Sequence, residues 1–130
     1  MPILFTQTAG TLSTSSASWA PIPGLAFTLP AAQGKTALLI LNLPNPYAQG
    51  NNFPGGQFAI AVNGSMLVPI AVFTTETQVP LANNTGRIPT TLVVSVPLHK
   101  FKQPVEALWQ NVRGSTVIID TPSSLSAIIM

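Results

Sequence analysis

Gln57-Phe-Ala-Ile-Ala-Val-Asn-Gly-Ser-Met66 decides how the rest of the chain is read. The apolar run 58–62 stops at Asn63-Gly64, the residue pair suited to a two-residue type I′ turn, which needs positive φ at both central positions. The stretch therefore predicts a tight β-hairpin. Moving outward in both directions, the same grammar recurs. Short runs rich in Val, Ile, Leu, Thr and Phe are bounded by Gly, Pro, Asn or Ser. They cover 3–8, 25–29, 36–43, 57–62, 66–75, 90–96, 105–111, 115–120 and 125–130. The Ser/Thr-rich segment 11–18 reads as a surface loop or an edge strand. Thirteen prolines leave few windows long enough for a three-turn helix. The one helical candidate, 104–112, has proline at a plausible first position. Its alternating Val105, Ala107 and Trp109 fit a strand equally well, and the surroundings favour the strand. About nine short strands with regular turns describe an all-β jelly roll or sandwich, read as one domain over 1–130. The apolar end of the chain, Leu-Ser-Ala-Ile-Ile-Met130, predicts a last strand that is central or buried in an assembly.

Composition narrows the function. Of 130 residues, 46% are apolar and only 6% are charged, with no cysteine and one histidine. Ordinary soluble domains carry about 25% charge. Low charge with high hydrophobicity excludes disorder, and the missing cysteines exclude disulfides and thiol chemistry. A monomer this poor in charge has little with which to coat its surface, so part of that surface is expected to be buried against copies of itself. The net charge is only +2. The five bases are scattered in sequence, so the clustered phosphate contacts that nucleic acid requires are not expected. The longest uninterrupted apolar runs, such as 37–41, are far shorter than the roughly 20 residues of a spanning helix, so no membrane insertion is expected. No basic leader precedes Lys35, which predicts a soluble protein made in the cytoplasm without a signal peptide and released, if at all, by another route.

Catalysis finds little support. His99 would have to serve any triad, yet it lies in Leu-His-Lys-Phe-Lys, a solvated turn, and no nucleophile elbow is present. Glu76, Glu106 and Asp120 are the only acids. They form no glycosidase pair or metal-ligand spacing that a motif supports. The chain reads as a non-enzyme without cofactor or metal. Three polar loops remain, at 47–57, 83–89 and 112–115. Arg87 and Arg113, the only arginines, each adjoin a glycine, and a guanidinium fork can bind neighbouring oxygens of one ligand. From the residues alone, the reading is a β-sandwich module that binds a small polar or anionic ligand.

At these loops the sequence resembles the TNF-like fucose-binding lectin domains, a family that includes the N-terminal part of a two-domain Burkholderia superlectin. The resemblance is carried by Ile22-Pro-Gly-Leu25, Pro46-Tyr-Ala-x-Gly-Asn-Asn-Phe-Pro-Gly55, Phe58-Ala-Ile-Ala61, Thr85-Gly-Arg-x-Pro89, Trp109-x-x-Val-Arg-Gly-Ser115 and Ser124-Leu-Ser-Ala-Ile128. It implies a jelly-roll protomer, a homotrimer, and calcium-independent sites for fucosylated oligosaccharides between neighbours. One wall would be Tyr47, Asn84, Thr85 and Arg87; the other, from the adjacent chain, Thr74, Thr75 and Arg113. Gln57 and Asp120 would stand at the rim. The family example has tyrosine at the positions of Gln57 and Thr75, so this chain has less stacking surface there and a more open site. A second reading is a structural or adhesive jelly-roll trimer without a sugar pocket, in which both arginines bond to backbone carbonyls or acids.

Overall fold

In a computed structural model that describes residues 2–79 and 86–130, the described residues form twelve strands. In chain order they are β1 (Ile3–Gln7), β2 (Leu12–Thr14), β3 (Ala20–Leu29), β4 (Thr36–Leu43), β5 (Tyr47–Gln49) and β6 (Gly55–Val62). Then come β7 (Ser65–Met66), β8 (Ala71–Thr74), β9 (Thr90–Pro97), β10 (Gln103–Val112), β11 (Thr116–Ile119) and β12 (Ser124–Ile129). All the pairings are antiparallel. One sheet has the order β1-β12-β4-β9; the second runs β3-β10-β6, with β7 and β8 both on the far edge of β6. A small third sheet, β2-β11-β5, joins them.

Side-chain alternation explains the layering, because successive residues of a strand point to opposite faces. β4 buries Ala37, Leu39, Leu41 and Leu43, and β12 buries Leu125, Ala127 and Ile129. From the facing sheet come Leu25 and Leu29 of β3, Phe58 and Ile60 of β6, and Val105, Ala107 and Trp109 of β10. These side chains form one core cluster, so the chain is an antiparallel β-sandwich. β12 lies between β1 and β4, which is why the chain's last strand is apolar on its inward face. Asn63 (φ 53°) and Gly64 (φ 75°) make the turn between β6 and β7 with both central residues left-handed, as that dipeptide predicts.

The structure departs from the sequence reading in three places. The predicted strand over 66–75 is two short strands, because Pro69 lacks the N–H needed to continue the ladder. β3 begins five residues early and includes Pro21 and Pro23, which its edge position tolerates. A register shift opposite Glu106–Leu108, with Gly24 at φ 86°, absorbs the irregularity. Tyr47–Gln49 is a strand that its glycine-rich surroundings concealed. Part of 11–18 is β2, an edge strand paired to β11, which is one of the two forms expected of that segment. The stretch 104–112 is strand β10, as its alternation and surroundings favoured. Pro104 sits there ahead of the β6 ladder, which starts at Val105.

Candidate functional site

The first residue of β6 is where the site begins. Gly55 pairs with Thr74 of β8 on one side and with Val112 of β10 on the other. Thr74, Thr75 and Arg113 thereby converge from distant parts of the chain. The approach excludes a side chain: a β-carbon on Gly55 would lie 2.9 Å from Thr74 Cα and closer still to the Phe73 carbonyl oxygen. Ser115 ties the same point together. Its buried Oγ accepts the Gly55 N–H at 3.1 Å and lies 2.7 Å from the carbonyl oxygens of both Gly55 and Val112. Asn111 Nδ2 donates to Ser15 O at 3.0 Å and to Ser115 O at 2.9 Å, which closes the turn.

On that turn, Arg113 holds φ 51° and Gly114 φ 70°. A left-handed non-glycine residue is uncommon and here is held by the surrounding bonds. Arg113 Nε donates to Asn52 O at 2.9 Å and Nη2 to Phe53 O at 2.6 Å. Its guanidinium carbon stands 5.9 Å from the centre of the Phe53 ring, and Phe53 is itself left-handed at φ 48° and 40% exposed. The backbone carbonyls thus fix the plane of an exposed guanidinium. Among the described residues its Nη1 makes no hydrogen bond, which leaves those donors available on an exposed side chain.

Arg87 lies in a second cluster at the same end of the sandwich. Tyr47 opens β5 opposite Ile118, and Asp120 follows β11 directly, so the register brings Tyr47 and Asp120 together. Arg87 Nη1 donates to Asp120 Oδ1 at 2.6 Å and to Asn45 O at 2.9 Å, while Nη2 donates to Asp120 Oδ2 at 2.7 Å. The guanidinium carbon lies 4.4 Å from the centre of the Tyr47 ring. This fork-to-fork pair over an aromatic face is the geometry for which arginine is suited. The hydrogen bond from Arg87 is the main cause holding the Asp120 carboxyl below its ordinary value, and the same bond raises Arg87. Both side chains are 27% exposed. The pair is reachable, and Asp120 keeps lone pairs that can accept from a ligand's hydroxyls.

The other expected site residues are distributed unevenly. Thr74 is half-buried at the end of β8. Thr75 is buried and its hydroxyl donates to Thr77 O at 2.8 Å, so it can offer a ligand acceptor capacity only. Its methyl approaches the arginine loop, since a β-carbon on Gly86 would lie 3.3 Å from it. Gln57 is half-buried on β6 between Gln110 and Val72. Asn84 and Thr85 lie outside the described residues. Asp120, expected at the rim, is the partner that orients Arg87. Sequence reasoning also passed over Phe53, Asn52 and Asn45, whose carbonyls hold the two guanidinium groups. Phe53 was visible only as the aromatic of the Asn-Asn-Phe-Pro-Gly string, and the others act through backbone contacts that no local pattern announces. Among the described residues no three His, Cys, Asp or Glu side chains come together as a metal site would require.

A scan against protein families matches residues 9–128 to the family described as "Bc2l-C, N-terminal domain". The chain belongs to that family. It is the N-terminal domain family of the Burkholderia superlectin, a lectin-type domain. A search of curated proteins gives no match. Among solved structures, the Bc2l-C-type chain superposes on an insecticidal delta-endotoxin, Cry8Ea1, from Bacillus thuringiensis with TM-score 0.51 and 11% identity, over 92% of this chain and 19% of the toxin. It also superposes on dimeric latent PorU from Porphyromonas gingivalis with TM-score 0.52 and 10% identity, over 95% of this chain and 13% of that one. The chain therefore spans under a fifth of either protein, and the likeness is one of fold alone.

Proposed function

We propose that this Bc2l-C-type domain is a calcium-independent lectin that binds fucose or fucosylated glycans between protomers of a jelly-roll homotrimer. The observation that carries the proposal is Arg113, an exposed guanidinium fixed by two backbone carbonyls, whose Nη1 makes no hydrogen bond among the described residues. Sugars are recognised by oriented donors and acceptors beside a flat apolar face. Arg113 with Phe53, and Arg87–Asp120 with Tyr47, supply both. In the trimer the first set faces the second set of a neighbouring chain.

Self-association has its own support. On the outer face of the β1-β12-β4-β9 sheet the register aligns Phe5, Ser126, Ile40 and Val93 in one row. Ile3, Ile128, Leu38 and Ser95 form the next row. Ile3 is 65% exposed, Phe5 61% and Val93 54%. An apolar sheet face without a charged side chain in either row is the kind of surface that subunits cover. Fucose as the sugar is carried over from the family through Tyr47, Thr74, Arg87 and Arg113. Hydrogen bonds to charged donors contribute about 1.5–3 kcal/mol each and neutral ones nearer 1, offset by desolvation of sugar and arginine. Each site is expected to bind weakly, with strength coming from several sites on one glycan-coated surface.

The internal bonding of both arginines favours a second reading, a structural jelly-roll trimer without a sugar site. Calorimetric titration with methyl α-L-fucoside, with oligomeric mass measured in the same buffer, separates the two. The lectin reading expects one sugar per chain in a trimer, and loss of binding in Arg113→Ala without loss of the trimer. Undiminished binding in that variant would show the site to be wrongly placed. A well-folded trimer that binds neither this fucoside nor any glycan in a broad screen would establish the structural reading.

A further inference from the structure

The bases that look scattered in sequence are sorted by the fold. Arg87 precedes β9 and Arg113 follows β10, whereas Lys100 and Lys102 lie in the turn that joins these strands. Lys35 is brought beside that turn from the β3–β4 loop. Its carbonyl accepts the Leu98 N–H at 2.8 Å, and Ala32 N donates to His99 O at 2.9 Å. All three lysines and the one histidine therefore occupy the opposite end of the sandwich from the arginines. At about 3.3 Å per residue, the strands separate the two ends by roughly 25 Å.

This end has a distinct composition. Lys35, His99, Lys100 and Lys102 are all exposed, and the lysines make no ion pair among the described residues. Between Lys100 and Lys102 stands Phe101, 57% exposed although its ring stacks on His99 at 5.2 Å between centroids. Glu106, the acidic residue nearest in sequence, does not sit on the tip. It lines a cleft of about 430 Å³ on the outer sheet face with Thr28 and Pro104. A convex turn that presents an aromatic ring flanked by unpaired ammonium groups is complementary to a surface with anionic oxygens above an apolar layer.

We propose that the 98–102 turn, with Lys35, is a peripheral docking site for an anionic phospholipid surface. Lysine ammonium groups lie at the phosphates, and the Phe101 ring enters the headgroup boundary. The ring favours lipid over nucleic acid, since a lone phenylalanine on a convex tip has no groove in which to stack several bases. The contact leaves the chain folded as it is and inserts no strand. It stands independently of the lectin reading, but it would leave the arginine end facing away from the bilayer.

Flotation with phosphatidylcholine vesicles, with and without phosphatidylglycerol as a third of the lipid, tests the proposal. The protein should float with the anionic vesicles only, and less so as salt rises, because Lys–phosphate attraction is screened. Lys100→Gln/Lys102→Gln should lower the bound fraction at least tenfold at low salt. Phe101→Ser should lower it severalfold while keeping the salt dependence. Arg113→Ala should float like the unaltered protein, which separates failure of this site from failure of the sugar site. Absence of flotation with anionic vesicles would overturn the proposal, as would undiminished flotation of the double lysine variant when circular dichroism shows it folded. Retention of a DNA duplex without vesicle binding would overturn it in favour of nucleic acid.

Discussion

At one end of the sandwich the cations are held by the protein itself: Arg87 by the Asp120 carboxylate and Asn45 O, Arg113 by the carbonyls of Asn52 and Phe53. At the other end Lys35, Lys100 and Lys102 are exposed and make no ion pair among the described residues. The difference follows from the side chains. A planar guanidinium has donors enough to be anchored on one edge and to present another, whereas an ammonium is a hydrated point charge on a flexible stem. A fixed fork suits recognition of one hydroxyl pattern, while mobile ammonium groups suit a fluid anionic surface. Anchoring requires tight backbone packing beneath the Arg113 turn, and Gly55 records it, although around Gly114 in the turn itself nothing lies within 4 Å. A β-carbon on Gly55 would collide with backbone, whereas around Gly34 and Gly64, near the lysine end, nothing lies within 4 Å.

The strongest way to break this contrast is to put side chains at those glycines. Gly55→Ala forces β6 away from β8 and should cost about 4 kcal/mol or more, among the largest effects single substitutions show. Gly34→Ala meets open space and only a φ of 88°, so about 1 kcal/mol is expected. Urea denaturation of both variants checks the difference, and equal losses would show that the arginine end is not the more tightly packed.

Ser115→Ala comes next. It leaves the Gly55 N–H without its partner at a buried position, at a cost of about 2 kcal/mol. Sugar affinity should fall as well, because the Arg113 turn loosens. A variant that loses stability and keeps full affinity would show that the turn does not depend on this hydroxyl.

A smaller effect is expected at Asp120. Its folded value lies below the ordinary 3.8. The stabilisation from the Arg87 pair is therefore fully present above that ordinary value and is lost as pH falls through the folded value. Asp120→Asn should cost about 1 kcal/mol at neutral pH, a figure kept low because the pair is partly solvated. The gap from the parent protein should narrow in strong acid. A gap that stayed constant down to the acid limit would mean that the carboxylate's charge is not what stabilises the pair.

Smallest of all, Lys100→Gln/Lys102→Gln should change stability by less than about 0.5 kcal/mol, as surface substitutions usually do. A larger loss in thermal denaturation would mean that these lysines are structural after all.

Much of the architecture was legible in the chain. Asn63-Gly64 required its turn because few dipeptides accept positive φ twice, and the alternation in 36–43 and 125–130 set inward faces for β4 and β12. The loops bearing Tyr47, Arg87 and Arg113 were visible as glycine-flanked polar segments. Local sequence did not show that the stretch 66–75 would meet β6 as two separate strands, because β7 and β8 pair with opposite ends of the same β6 edge. Nor could it show that Asp120 would hold Arg87, or that Lys35 would join Lys100 and Lys102. Strand propensity, turn chemistry and side-chain alternation act over a few residues, so the sequence by itself determined an all-β chain, its hairpin and its core faces. Which charges meet is set by register and strand order, through contacts among residues far apart in the chain, and only the tertiary structure could decide that.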